Sequence, residues 1–164
     1  MYKGKHFLVF LLAVTILPVA ASAELPREAV LPLALANKAV MEAVEQCRRD
    51  GFLVSAAVVD GSGVLRAQVR ADGAGPHTVE SSFRKAYTSA SLKESTQKLA
   101  KIAAGNAELQ GLHHMADNIL LLGGGLPIVI KGEVVGGIGV GGAPGANLDE
   151  ACAQAGLKSI LEHE

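Results

Sequence analysis

"GGIGVGGAPG", residues 136–145, follows a run of Val and Ile and carries at Gly137, Gly139 and Gly142 the G-x-G-x-x-G spacing of a dinucleotide-binding turn. In a true site of that kind the glycines make a tight turn, admit a pyrophosphate against the backbone and open a helix whose N-terminus attracts the anion. Such a site demands a doubly wound α/β fold. The surroundings refuse it, because Pro144 and Gly145 stand where the helix should open, and the remaining stretch to Glu164 holds one helix and no second strand bearing an acidic residue. Glycine inside a strand otherwise lets a ligand or another backbone come close. Gly137 and Gly139 are therefore expected to border a flat cofactor or a tight subunit contact.

Outward from this stretch the chain reads as α, β, β, α, α, β, β, β, α. Apolar residues recur at helical spacing from Pro32 to Asp50, at Ala36, Val40, Ala43, Val44 and Cys47, and Gly51 supplies a stop. Phe52 to Val59 is a continuous apolar run, Asp60-Gly61-Ser62-Gly63 is turn chemistry, and Val64 to Arg70 alternates Leu65, Ala67 and Val69 with Arg66, Gln68 and Arg70. That pattern predicts a β-hairpin with one half-wet strand. After the loop from Ala71 to His77, the residues Phe83, Ala86, Tyr87 and Ala90 mark a second helix, a third covers Gln97 to Ala104, and Leu109 to Asn118 fits no single pattern. Strands are expected at Leu120–Leu122, Pro127–Ile130 and Glu133–Val140, with a last helix from Asn147 to Glu162. Consecutive hairpins point to an α+β domain with an antiparallel sheet, since a parallel sheet needs alternating β and α units.

The N-terminus reads as a secretory signal peptide over residues 1–23. Lys3 and Lys5 precede an apolar stretch from Phe7 to Val19, and Ala21-Ser22-Ala23 gives a small-residue cleavage pattern. The apolar run is shorter than the ~20 residues of a membrane span. A periplasmic or secreted location follows, with residues 24–164 as a single domain and no membrane association after cleavage. Without Lys3 and Lys5, the 15 basic side chains of the whole chain fall to 13 against 16 acidic, a formal balance of −3. With no Trp and no basic cluster interleaved with aromatics, nothing invites nucleic acid. Cys47 and Cys152 lie on the apolar faces of the first and last helices. In an oxidising compartment a disulfide between them is expected, with two buried free thiols as the alternative.

The stretches "SAAVVDGSGVLRAQVRADGAGPHTVESSFRKAYTSAS" (55–91), "GGGLPIVIKGEVVGGIGVGGAPG" (123–145) and "DEACAQAGL" (149–157) together resemble the GlcG/HbpS family of small haem-binding proteins, also seen as the C-terminal domain of PduO-type proteins. The likeness covers nearly all of residues 24–164. It implies a profilin-like fold, a five-stranded antiparallel sheet flanked by helices, and homo-oligomers that are dimers or larger. It also implies haem binding in some members, with roles in haem transport, redox sensing or haem degradation.

Haem iron takes His, Met, Cys or Tyr ligands. The candidates after the signal peptide are His77, His113, His114, His163, Met41, Met115, Tyr87 and the two cysteines. Met41 sits on a core-like helix, His163 at the chain end, and Tyr87 on the same apolar stripe as Phe83. His77 is the leading iron ligand because it ends a glycine-rich loop just before the helix bearing Lys85, Ala86 and Thr88, which match the family signature; helix capping with Glu80 is its structural alternative. Side chains of adjacent residues diverge by about 100° on a regular helix, so His113 and His114 cannot both ligate one metal from it, though either one could reach a site. Arg84 and Lys85 would pair haem propionates, the Arg as a bidentate fork. Thr88, Gly137 and Gly139 complete the expected surroundings of a non-covalent b-type haem.

The functional expectation is a haem carrier, buffer or redox-sensor accessory. A periplasmic interaction module that touches a sensor protein, or a protein binding a small organic acid or another tetrapyrrole, stands as the alternative. An enzyme is the lesser reading, since no nucleophile, carboxylate pair or metal motif names a reaction; incidental peroxidase or haem-degrading chemistry would accompany a bound haem.

Overall fold

The computed structural model describes residues 28–161, together with Met1 and Leu25. The expected signal peptide and His163 lie outside the described residues. Helix α1 (Leu33–Arg49) leads into strands β1 (Ser55–Asp60) and β2 (Leu65–Arg70), followed by helices α2 (His77–Leu92) and α3 (Thr96–Gly105). A 3₁₀ helix (Ala107–His114), strands β3 (Gly125–Ile130) and β4 (Glu133–Gly141) and helix α4 (Ala146–Leu161) complete the chain.

Local chemistry sets the boundaries. Asp60 Oδ1 accepts the backbone N–H groups of Ser62 and Val64 and so holds the β1–β2 turn. Lys93 takes a left-handed conformation, φ 55°, that ends α2. The Ser95 hydroxyl then accepts the Lys98 N–H to start α3, and the Asn106 side chain accepts the Glu108 N–H to start the 3₁₀ helix. The 3₁₀ helix buries none of its residues, which leaves Leu109–Asn118 without a regular apolar period.

The sheet is antiparallel throughout, in the order β2-β1-β4-β3, with four strands among the described residues. The fifth strand expected at Leu120–Leu122 does not form. Ile119 and Leu121 are buried with Ala103 while Leu120 and Leu122 point outward, which is the alternation of an extended chain. Its polar groups, however, meet side chains of α2 instead of a neighbouring strand. Leu120 N–H donates to Thr88 Oγ1 at 2.8 Å, and Arg84 Nη2 donates to the Ile119 carbonyl at 2.8 Å.

Both faces of the sheet are covered. On one, α1 and α4 pack over Ala56, Val58, Ile128, Ile138 and Val140. Cys47 of α1 and Cys152 of α4 are joined there in the expected disulfide, with Cα atoms 5.5 Å apart. On the other, α2 lies over Ala57 and Val59 with its own Ala86 and Ala90. In the pairing of β1 with β4, Ala57 faces Gly139 and Val59 faces Gly137, so this surface is paved with small residues.

Candidate functional site

The loop before α2 is fixed from both sides. Arg70 Nε donates to the Ala74 carbonyl at 2.8 Å, while Thr78 Oγ1 donates to the Gly75 carbonyl at 2.6 Å and shares a 2.7 Å hydrogen bond with the Ser55 hydroxyl. Helix α2 therefore begins at a defined point, with the exposed side chain of His77 in its first turn. From there the spacing i, i+3, i+4, i+7 places His77, Glu80, Ser81 and Arg84 on one helix face. Leu120 and Leu122 form the opposite wall of a groove of about 320 Å³.

The His77 ring engages no hydrogen-bond partner among the described residues. It leans back against the loop, so that a Cβ added to Gly75 would lie 2.6 Å from its Cε1. Arg84 is divided between two partners. Nη1 lies 3.5 Å from Glu80 Oε1 and Nη2 donates to Ile119 O, while Nε is buried without a partner. Its side chain keeps 29% exposure, enough to offer an N–H to an anion in the groove.

Of the expected site residues, the groove brings together His77 and Arg84. Lys85 does not reach it. Its ammonium is buried, donating to Asp149 Oδ2 at 2.8 Å and to the Val140 carbonyl at 2.9 Å, and so ties α2 to α4 and to β4. The other Asp149 carboxylate oxygen accepts the Ala143 N–H at 3.0 Å. Burial pushes the Asp149 carboxyl above its ordinary range against the opposing pull of the Lys85 charge and of these hydrogen bonds. A buried ammonium already paired with a carboxylate and a backbone carbonyl is not available to a propionate.

Thr88 is also buried, and its hydroxyl donates to the Arg84 carbonyl at 2.7 Å while accepting the Leu120 N–H. It holds the leucine wall in place and does not line the groove. Gly137 and Gly139 serve helix packing in place of a ligand surface. A Cβ on Gly137 would stand 2.3 Å from Ala86 O, and one on Gly139 would stand 2.2 Å from Ser82 O and 2.4 Å from Ala86 N. The close-approach reading of these glycines holds, but the approaching backbone is α2 of the same chain. His113 and His114 are exposed at the end of the 3₁₀ helix, outside the groove lining. Leu120 and Leu122, which sequence reasoning assigned to a strand, are the lining residues it missed; their outward alternation with Ile119 and Leu121 was the available signal.

The haem-degrading protein HbpS-like family model matches residues 31–158. The chain belongs to the HbpS-like family. Among solved structures, a double mutant of Streptomyces reticuli HbpS superposes with a TM-score of 0.80 at 43% identity, covering 91% of this chain and 99% of that one. The PduOC–haem complex superposes with a TM-score of 0.75 at 26% identity, covering 81% of this chain and 96% of the other. Protein GlcG of Escherichia coli K12 is 28% identical over 121 residues, 68% of this chain and 81% of GlcG. Membership in the HbpS-like family links the chain to haem-related binding. No helix among the described residues is long and apolar enough to cross a membrane.

Proposed function

We propose that the chain binds a b-type haem non-covalently in the His77 groove and acts outside the cytoplasm, secreted or periplasmic, as a haem carrier, buffer or redox-sensor accessory. The observation that carries this reading is the convergence of an exposed imidazole, a partly exposed guanidinium and two leucines on one groove. These are groups that suit a haem: a ring nitrogen for iron, a cation for propionate and aliphatic surface for the macrocycle. His77 would ligate the iron and Arg84 would pair a propionate, exchanging its contact to Glu80 for the new anion. When bound, haem supplies an iron centre whose electron-transfer or oxygen chemistry depends on its ligand and surroundings. The chain's own residues bind and orient it. The Cys47–Cys152 disulfide supports an oxidising compartment.

At about 320 Å³ the groove lies at the small end of ligand sites, which span roughly 300–1,000 Å³. One copy would cover only part of a macrocycle, which supports a homo-oligomer in which a second copy completes the site. A sensor protein that reads the loaded state is the remaining partner in this reading. The same volume favours, as a second reading, a small organic acid held by Arg84 and His77.

Haemin titration of the purified protein, followed at the Soret band, separates the two. The expected result is a saturable, shifted band that His77→Ala removes and Arg84→Ala weakens. A spectrum matching free haemin, or full binding by His77→Ala, overturns the haem assignment. Quenching of a small carboxylate's binding by Arg84→Ala would then establish the second reading.

A further inference from the structure

Residues 119–122, which wall the groove, are extended chain with which no strand among the described residues pairs. Ile119 and Leu121 share a cluster in which Ala103 is the other buried residue, and the 3₁₀ helix before them buries none of its own. Segments so thinly packed open at little cost. Their polar ties run to α2. Arg84 Nη2 donates to the Ile119 carbonyl at 2.8 Å, Leu120 N–H donates to Thr88 Oγ1 at 2.8 Å, and Thr88 Oγ1 lies 3.4 Å from the Asn118 carbonyl. The wall is thus held by the same guanidinium that faces the groove.

Arg84 is held unequally at its two ends. Nη2 makes its hydrogen bond to the wall, whereas Nη1 stands 3.5 Å from Glu80 Oε1, beyond the usual hydrogen-bond length, and the Glu80 side chain is 75% exposed. An anion entering the groove therefore displaces Glu80 and leaves the bond to Ile119 in place. A guanidinium fixed to the wall has already lost much of its rotamer freedom, so the anion meets less of that ordering cost. We infer, on the reading of Arg84 as the groove's anion-binding group, that Arg84 couples a bound carboxylate to the leucine wall so that each orders the other. Thr88 is then a positioning residue for anion binding, although it does not line the groove.

Such coupling is reciprocal by linkage. The Thr88 hydroxyl donates to the Arg84 carbonyl at 2.7 Å, which turns its lone pairs toward the Leu120 N–H. Removing the hydroxyl loosens the wall, frees the far end of the guanidinium and so weakens an anion on its other side. The backbone of α2 takes no part in this movement, because it rests directly on Gly137 and Gly139. The wall is the part that moves.

The probe is sodium propionate, the free counterpart of haem's acidic side chains, against sodium chloride at equal ionic strength. Amide exchange and the Arg84 Nε–H resonance are followed by NMR on the purified protein. Propionate is expected to shift the Arg84 resonance and to slow exchange at Leu120 by at least about fivefold, the low end of coupling between two sites. Exchange in β1 should not change. Thr88→Val should weaken propionate by a similar factor, Thr88→Ser should bind it as the native chain does, and Glu80→Gln should tighten it by about two- to fivefold. A shifted Arg84 resonance with unchanged exchange at Leu120, or native propionate affinity in Thr88→Val, overturns the coupling. An unshifted Arg84 resonance overturns the groove reading and the coupling with it. Slowed exchange at Leu120 in propionate beside a free-haemin spectrum overturns the haem assignment alone and leaves the coupling standing.

Discussion

The two faces of the sheet are built on opposite principles. Beneath α1 and α4 the strands present Val58, Ile128, Ile138 and Val140, and a disulfide clamps the covering helices. Beneath α2 they present Ala57 and Val59 but also Gly137 and Gly139, and over these glycines the helix rests with backbone nearly touching backbone. A layer of branched side chains tolerates small shifts of the helix above it, whereas backbone contact leaves little freedom. The groove residues ride on the second kind of helix. His77 and Arg84 thereby keep a fixed relation to the sheet without themselves entering the core.

The sharpest way to break this contrast is to change neighbours in β4 that face opposite sides. Gly139→Ala adds one methyl against Ser82 O and Ala86 N and should cost more than about 4 kcal/mol or prevent folding, because no side chain can move aside. Ile138→Ala, which removes most of a buried side chain from the other face, should cost about 2–5 kcal/mol and leave a folded protein. Urea unfolding of the two variants decides the matter; equal cost would mean that α2 can lift off the strands.

Next in size is the loss of the cation beneath α2. Lys85→Met leaves the Asp149 carboxyl buried without its counter-charge, and thermal or urea unfolding should show a loss of about 3–5 kcal/mol. A variant as stable as the native chain would show that the pair contributes nothing beyond a hydrophobic replacement. Smallest is Thr88→Val, which orphans the Leu120 N–H and should cost about 1–3 kcal/mol. Its diagnostic readout is faster amide exchange at Leu120, with the exchange of β1 unchanged.

The same contrast explains what the sequence made legible. The α1 and α4 face depends on periodic apolar residues and on two cysteines, and both signals are local to their helices. The helices and the hairpin could accordingly be read from spacing, and the Cys47–Cys152 pairing from the apolar helix faces that carry the two cysteines. Lys85 could not, because its partner Asp149 is remote in sequence and a lysine ordinarily seeks water. Gly137 and Gly139 announced a close approach without saying of what; Ser82 and Ala86 supply the answer only once α2 has been laid on the strands. Leu120–Leu122 has a strand's alternation, but hydrophobic period does not reveal whether a ladder partner exists. His77 was singled out from its place after a glycine-rich loop, and Arg84 shares its helix face two turns on, while the leucines opposite them come from a distant segment.

The disulfide also bears on the order in which the fold can be made. Its cysteines are 105 residues apart in the chain. At a synthesis rate of about 5–20 residues per second, Cys47 emerges about 5–20 s before its partner. Over that interval β1 also lacks β4, its neighbour at the centre of the sheet. The thiol that leads must stay unspent while half the sheet is still missing, so premature pairing between chains is the error this architecture invites.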